Sequence, residues 1–497
     1  MRIEVPASLK IEGAGLLDER DLAVRLEAQG VTDRVAAEDY GYADTIAMAE
    51  ALLPGVHAPE PVPAAPVPSQ AWREYLRGTA YAIPLALCAG CMMLFHFSLW
   101  GGDVDAETAT AVALGTIGSF IATGGVVQAL ARNFHFHTGC GEPAMAAVSA
   151  RRWLKAGVVG LVLSAACGVG LNAVFLWFHP GIMSTALLFH FALGTFWLAA
   201  GLLHVVERQW MVAVATLAGL ALVPTLHHIV GMELLIAQLS SVAVAAGISL
   251  FGGLASLRRA SNEERIYRGV PAKMLFLMGP YLAYGTLYYV FLFADRVLAW
   301  TASAQSSAAP LIFRGDYELP LDLALAGFVM IVGWVQLSMK RFFELLNANL
   351  PKFRGGNSEE FNSAMRSFYV RRAGWFLPCT IPAVLGLWVA LRAVGALPGQ
   401  PAETVALLAL LATPPLVLAL WNVSLLFSLS VPTAALPSAV CAAAANFAVG
   451  YLASRTISYE WAVLGYLLGA WVFATLSTMG VLARFRRLDY LYFAAGA

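Results

Sequence analysis

The sequence predicts an all-α integral membrane protein with about 12 transmembrane helices in two six-helix bundles, preceded by a small N-terminal cytoplasmic helical module. Three observations predict this fold. Hydrophobic residues make up 59% of the 497 positions and charged residues only 12%, whereas a soluble domain carries about 25% charged residues. Apolar runs long enough to cross a bilayer recur along the chain. Basic residues collect in alternate loops between these runs.

The first part of the chain is polar and predicts a separate module over residues 1–56. Two charged segments with helical spacing of apolar residues follow one another there, and Gly30 and Pro54 end them. The module is too short to bury a large core, so we expect it to dock on the membrane domain or on a partner. Residues 57–71 are rich in Pro and Ala and predict an extended linker. Residues 1–56 do not show the basic-then-apolar pattern of a signal peptide, so we expect insertion to use internal helices.

From about residue 72 onward, apolar runs of roughly 20 to 28 residues predict the membrane-spanning helices, because about 20 residues span the hydrocarbon core. The predicted spans are 75–100, 106–132, 153–178, 182–207, 210–229, 233–257, 273–302, 319–346, 372–396, 402–428, 432–453 and 459–484. The first six form a bundle over residues 72–257 and the last six form a bundle over 273–497. A basic cytoplasmic loop over 258–272 joins them.

The charge pattern predicts the orientation of these helices. Lys and Arg follow the second, fourth, sixth, eighth and twelfth helices, whereas the loops at 101–107 and 395–401 are acidic or nearly uncharged. The positive-inside rule therefore predicts a multi-pass protein of the cytoplasmic (inner) membrane with both termini in the cytoplasm.

A weak internal repeat supports two bundles of equal size. Residues 144–153 (AMAAVSARRW) follow the second helix and residues 364–373 (AMRSFYVRRA) follow the eighth, six helices later. Each predicts an interfacial amphipathic helix that leads into the next span. The two halves are then a parallel repeat about an axis along the membrane normal.

The seventh helix contains the first candidate functional residues. Asp295 and Arg296 lie in an apolar run, where a charge is costly and normally faces a bundle interior or a watery cavity. They are either a structural pair near the helix end or part of a transport pathway. Tyr281, Tyr284 and Tyr288 share one face and could line a cavity with rings and hydroxyls. Gly285 could loosen this helix.

The eighth helix adds Glu318, Asp322 and Gln336 to the predicted substrate pathway. Glu318 and Asp322 are four residues apart and therefore share a face near the predicted outer mouth, where they could pair with Arg296 or Arg314 or contact the substrate. The alternative is an ordinary helix start, since acidic residues are favoured in the first turn.

The sequence contains no pattern that predicts catalysis, a metal site or a cofactor. It has no Walker loop, no His-Glu-x-x-His and no Gly-x-Ser-x-Gly. The adjacent His227 and His228 point about 100° apart on a helix, which does not suit one metal ion. Lys and Arg equal Asp and Glu at 31 each, and no basic block predicts nucleic-acid binding. The six cysteines are interpreted as small buried apolar residues.

The segment Tyr284–Trp300 (YGTLYYVFLFADRVLAW) resembles the PelG family of exopolysaccharide exporters, and Tyr317–Ala324 (YELPLDLA) is similar to the start of that family's eighth helix. The family belongs to the multidrug/oligosaccharidyl-lipid/polysaccharide (MOP) flippase superfamily, together with the MATE exporters. The resemblance implies a MATE-like architecture and export of a polysaccharide or glycolipid. It makes Asp295 and Arg296 the leading functional pair, followed by Tyr284, Gly285, Glu318 and Asp322.

Two features depart from that family: the added N-terminal module, and the end of the second helix, which reads Ala131-Arg-Asn-Phe134. The cargo is therefore left open between the family's cationic polysaccharide and another polymer. Since the chain has no ATPase motif of its own, transport would draw on an ion gradient, on the cargo gradient or on coupling to a synthase. A polysaccharide synthase or glycosyltransferase is therefore a candidate partner. The alternatives are a small-molecule efflux antiporter and a non-transporting membrane scaffold or sensor. A membrane transferase would require catalytic acids or a His-Asp pair on loops, which the sequence lacks.

Overall fold

The computed structural model describes residues 19–28, 30–53, 71–260, 271–302, 311–349 and 358–491. The predicted linker over 57–71, apart from Ala71, and the central part of the predicted loop over 258–272 lie outside the described residues. Within the described ranges the chain is helical and contains no β-strand. The helices are α1 (Glu19–Ala28), α2 (Asp33–Glu38), α3 (Thr45–Leu52), α4 (Ala71–Ala80), α5 (Ile83–Phe95), α6 (Ala106–Gly139), α7 (Pro143–Phe175), α8 (Pro180–Val205), α9 (Gln209–Pro224), α10 (Leu234–Ala260), α11 (Pro271–Ala302), α12 (Gly315–Asn349), α13 (Ser358–Ala393), α14 (Gln400–Ser428), α15 (Leu436–Thr456) and α16 (Val463–Arg484).

The predicted fold class is confirmed. Among the described residues, eleven helices are long and apolar enough to cross a membrane, and α4 with α5 makes a twelfth if the pair is one broken span. The first predicted span, 75–100, is therefore not one straight helix. Its two parts meet at an angle of 67°. Pro84 lies in the first turn of α5, where its missing N–H costs no hydrogen bond, so a new helix starts there instead of α4 continuing.

The two segments that carry the repeated Arg-Arg pairs also differ from the prediction. Residues 144–153 form the start of α7, and residues 364–373 lie inside α13. Both are continuous with the following span and are not separate interfacial helices. Their sequences contain no Gly or Pro that would end the helix before the apolar run begins.

The described residues divide into two compact units. One contains Trp72–Leu337 and Ala373–Val481, and hence nearly all of the membrane-spanning helices. The other contains α1–α3 together with described parts of 338–372 and 482–497.

Helices α1–α3 form a small three-helix module with its own apolar core. The buried side chains Leu22, Leu26, Met48 and Leu52 belong to this core. Asp33 begins α2 and its Oδ1 accepts hydrogen bonds from the backbone N–H of Thr45 at 3.0 Å and from the Thr45 hydroxyl at 2.9 Å. The backbone bond first, and then the hydroxyl bond, stabilise the charged carboxylate and lower the pKa of Asp33.

Helices of the first and second bundles meet at two crossings where glycine backbones touch. At the first, α6 crosses α11, and a methyl group on Gly285 would lie 2.5 Å from the Gly124 carbonyl oxygen and 2.7 Å from the Gly125 Cα. At the second, α4 crosses α12, and a methyl group on Gly78 would lie 2.9 Å from the Gly333 Cα. These glycines allow two backbones to approach closely. Close approach therefore explains Gly285, whereas the sequence predicted that it would loosen the helix.

The prediction that the six cysteines are buried is wrong for most of them. Cys88 is buried and Cys91 is half-buried, whereas Cys140, Cys167, Cys379 and Cys441 are exposed on the protein. Cys167, Cys379 and Cys441 lie on spanning helices, so an apolar environment can also come from lipid contact, and the sequence alone does not separate the two cases.

Candidate functional site

A cavity of about 740 Å³ lies among the spanning helices and is lined from both bundles. Its lining includes residues of α5, α6, α11 and α12, together with residues of α8, α14 and others. The predicted pathway residues that line it are Tyr284, Gly285, Tyr288, Asp295, Arg296, Glu318, Asp322 and Gln336. Tyr281 is the one predicted residue that does not line this cavity.

A charged cluster centred on Arg296 connects α11 with α12. The Arg296 guanidinium donates to Glu318 and lies 3.5 Å from an Asp322 carboxylate oxygen. The indole N–H of Trp300 donates to the other Glu318 oxygen at 2.9 Å. Both oxygens of Glu318 are thus bound, and the residue is only 5% exposed. The Asp322 side chain is 41% exposed, so it is the carboxylate of this cluster that a bound molecule can reach.

Asp295 is next to Arg296 in the chain but does not form an ion pair with it among the described residues. Adjacent residues on a helix point about 100° apart. The hydroxyl of Tyr317 donates to Asp295 Oδ2 at 2.8 Å, Asp295 Oδ1 has no hydrogen-bond partner, and the residue is 1% exposed. Asn446 interacts with the same carboxyl group and donates to the Phe291 carbonyl oxygen at 2.7 Å. The predicted Asp–Arg pair is therefore two separate polar contacts.

Aromatic rings form another part of the cavity wall. Phe120 on α6 stacks on Trp197 of α8, with 4.3 Å between ring centroids, and on Tyr289 of α11 at 5.0 Å. Tyr288 contacts both Tyr289 and Tyr284. Flat aromatic faces bind the apolar faces of sugar rings and organic cations by stacking. The cavity thus combines a reachable carboxylate with stacking surfaces.

Tyr281 lies at a contact between the bundles near the predicted inner end. Its ring packs against Phe427 with centroids 4.7 Å apart, and the Arg132 guanidinium lies 5.9 Å from the Tyr281 ring. Arg132 also donates to the Ser430 hydroxyl at 2.7 Å. These contacts connect α6 of the first bundle with α11 and the end of α14.

Several residues of the site were not singled out from the sequence. The partners Trp300, Tyr317 and Asn446 come from three different helices, and their pairing depends on tertiary packing. Phe120 and Trp197 are aromatic residues in apolar runs, and such residues are common in any membrane helix. In contrast, the sequence carries a signal for Tyr289. It lies four residues before Phe293 on the predicted helix, and this spacing places both rings on one face. No group of three metal-ligating side chains occurs in the part of the chain that the structure describes.

Comparison with solved structures identifies the architecture. A variant of the Vibrio cholerae MATE transporter VcmN superposes with a TM-score of 0.61 at 14% identity, covering 86% of this chain and 97% of that chain. A multidrug resistance MATE family transporter of the MOP superfamily, in an outward-facing conformation, gives a TM-score of 0.59 at 12% identity, covering 86% and 98%. The chain has the MATE fold.

A MATE transporter in the straight conformation likewise superposes with a TM-score of 0.57 at 11% identity, covering 84% of this chain and 96% of that one. The match extends over nearly the full length of each MATE chain, so the MATE architecture accounts for the membrane part of this protein. No protein-family model and no curated protein sequence matches the chain.

Proposed function

We propose that this protein is a membrane transporter that exports a polysaccharide or a lipid-linked glycan across the cytoplasmic membrane. One observation carries the proposal: a cavity of about 740 Å³, lined by helices of both bundles, which contains Asp322 as a reachable carboxylate beside stacked aromatic rings. Spanning helices normally bury charges only where a pathway or a structural pair needs them. The resemblance of Tyr284–Trp300 to PelG-like exporters supports a glycan as the cargo.

The residues of the pathway have different roles in this proposal. Asp322 contacts cargo, whereas Glu318 holds the Arg296 guanidinium in place and is itself held by the indole N–H of Trp300. Asp295 fixes α11 against α12 through Tyr317. Tyr288 supplies a ring surface, whereas Tyr284 is 3% exposed and packs behind it. The glycine crossings let the bundles approach closely enough to enclose the cavity.

Export proceeds either by alternating access of the two bundles or through a conduit coupled to a synthase, because the sequence has no ATPase motif. The N-terminal module, with its separate core, is placed in the cytoplasm together with both termini, where it recruits the polysaccharide synthase or glycosyltransferase. In this arrangement residues 57–71 act as the tether.

The test compares secretion with the amount of protein in the membrane. Cells that lack this chain should stop secreting extracellular polysaccharide, and Asp322→Asn should reduce secretion strongly at an unchanged membrane level. Arg314→Gln is the control, because the Arg314 guanidinium pairs with Asp316 at 3.8 Å and stacks on Tyr459, and forms no ion pair with Glu318 or Asp322 among the described residues. Normal secretion without the chain would rule out the export function.

A second candidate is a small-molecule efflux antiporter, which the likeness to multidrug MATE structures favours. It predicts that cells without the chain become more sensitive to cationic dyes and retain normal polysaccharide secretion. A scaffold or sensor without transport does not account for the cavity.

A further inference from the structure

The four helices at the glycine crossings contain two short sequence patterns, and each pattern occurs once in the first bundle and once in the second. Gly-Thr-x-Tyr occurs at residues 78–81 and again at 285–288. Gly-x-Val-Gln occurs at residues 125–128 and again at 333–336. The offset along the chain is nearly the same for both patterns, and it is close to the offset of the two Arg-Arg segments. Each crossing joins one helix with the first pattern to one helix with the second.

The glycine of the second pattern meets equivalent atoms at the two crossings. A methyl group on Gly125 would lie 2.3 Å from the Leu282 carbonyl oxygen and 2.9 Å from the Thr286 hydroxyl. A methyl group on Gly333 would lie 2.4 Å from the Tyr75 carbonyl oxygen and 2.6 Å from the Thr79 hydroxyl. In both cases the carbonyl belongs to the residue three before the pattern's glycine, and the hydroxyl to the residue one after it. The same helix crossing therefore occurs twice in the protein. Gln128 and Gln336, the last residues of the second pattern, occupy equivalent positions in it.

Both of these glutamines line the cavity and are half-buried. Neither amide has a hydrogen-bond partner among the residues that the structure describes. Gln238 lines the same cavity but differs, because its Nε2 donates to the carbonyl oxygens of Ser98 at 3.0 Å and Gly101 at 2.8 Å. An amide presents two donors and two acceptor sites, and polar groups within a membrane are costly unless something satisfies them.

We propose that Gln128 and Gln336 form a matched pair of cargo-binding residues that hydrogen-bond the hydroxyl or amide groups of neutral sugar units. The proposal rests on the transport function above and specifies the chemistry of its cargo site. A hydroxyl both donates and accepts, which matches the amide. A cation without hydrogen-bonding groups gains nothing from these two residues. Because the positions are equivalent and lie on α6 and α12, they suit a cargo that presents the same groups on two sides.

The experiment titrates the full chain in lipid nanodiscs with a tetrasaccharide of N-acetylglucosamine, and separately with tetraphenylphosphonium. Gln128→Met and Gln336→Met keep the side-chain length and remove the amide. Each should raise the Kd for the tetrasaccharide about tenfold, as expected for one or two lost hydrogen bonds, and by a similar factor at both positions. The Kd for tetraphenylphosphonium should stay within about twofold. Gln128→Ala and Gln336→Ala provide a second pair of variants if a methionine variant does not fold.

Gln238→Met is the matched control. It should lower the apparent Tm, because two loop carbonyls lose their donor, and change the tetrasaccharide Kd much less than the other two variants. An unchanged tetrasaccharide Kd in Gln128→Met and Gln336→Met, a change in only one of them, or no saturable tetrasaccharide binding by the unaltered chain would each overturn the proposal.

The secretion assay separates this inference from the transport function. If removing the chain stops polysaccharide secretion while both glutamine variants secrete normally, the glutamine pair is wrong and export stands. If removing the chain leaves secretion unchanged, export is wrong, and the tetrasaccharide titration still decides whether the two amides bind a neutral glycan.

Discussion

Glu318 and Asp322 bind the same guanidinium, but neutralising Glu318 should mainly reduce stability, whereas neutralising Asp322 should mainly reduce export. Glu318 is 5% exposed and accepts from both Arg296 and Trp300. Glu318→Gln leaves Asp322, at 3.5 Å, as the remaining charged partner of the buried Arg296. Breaking a buried ion pair costs about 3–5 kcal/mol, and Asp322 should hold the loss to the lower end of that range. The Asp322 side chain is 41% exposed at 3.5 Å from Arg296. Because the carboxylate of Asp322 is more exposed than that of Glu318, and Glu318 keeps its bond to Arg296, Asp322→Asn should cost less stability than Glu318→Gln.

The assay combines the apparent Tm of the purified protein in detergent with the amount of polysaccharide that the cells secrete. Glu318→Gln should show the larger decrease in Tm, and its secretion should fall in proportion to the protein remaining in the membrane. Asp322→Asn should retain its Tm and membrane level and lose most of its secretion. The reasoning fails if Asp322→Asn is the less stable variant, or if it secretes normally at a normal membrane level.

Three further outcomes follow from single contacts. Gly285→Ala and Gly333→Ala should each lower the apparent Tm, since a methyl group would meet backbone atoms within 2.5 Å, whereas Gly279→Ala meets nothing within 4 Å and should not; equal effects at all three would contradict the crossings. Because its hydrogen bonds lower the pKa of Asp33 below the ordinary value of 3.8, this carboxylate stabilises α2–α3 above that pH and loses the effect as the pH falls through the lowered pKa. Hydrogen exchange of the full chain should therefore give lower protection factors for α3 amides in Asp33→Asn at pH 7, with a smaller further decrease in protection on acidification than in the unaltered chain. Asp295→Asn should retain or raise the Tm, because an amide keeps the acceptor for Tyr317 and adds a donor; a large decrease in Tm would show that the charge itself is structural.

The positions of the membrane helices could be predicted from the sequence because apolar length depends on local composition alone. About 20 apolar residues are needed to cross a bilayer, and each run from α6 to α16 meets that condition. The predicted bounds miss the polar ends of three helices: α7 and α13 begin 10 and 14 residues before the predicted spans, and α6 ends 7 residues after its predicted span. The break between α4 and α5 was the exception. Pro84 signalled it, but a proline within an apolar run is common in spanning helices, where neighbouring helices satisfy the freed groups.

The cavity residues could be predicted as a group, since charges in an apolar run are rare, but their pairing could not. Whether Arg296 contacts Asp295 or Glu318 depends on the direction of each side chain from its helix and on the angle at which α11 and α12 pack. Chain proximity favoured Asp295, whereas the helical geometry separates adjacent residues by about 100°. A pairing between helices therefore requires coordinates.

The sequence contained the two patterns that form the duplicated crossing, but the patterns are too short to be recognised without the structure. Each pattern has three defined residues, and Gly-Thr-x-Tyr alone has no specific meaning in a chain with 44 glycines. The pattern becomes informative once α4 is found against α12 and α11 against α6, because the same atoms then meet at both crossings. Close backbone contact allows only glycine, which explains why glycine occurs at the equivalent positions of both crossings. The Gln336 Cβ packs against Gly78, where an added methyl group would lie 2.8 Å from it. The amide groups of Gln128 and Gln336 make no hydrogen bond within the described residues, so close packing does not explain why the same amide occurs at both positions. Contact with a common cargo does explain it, and that is the reason to test the two amides together.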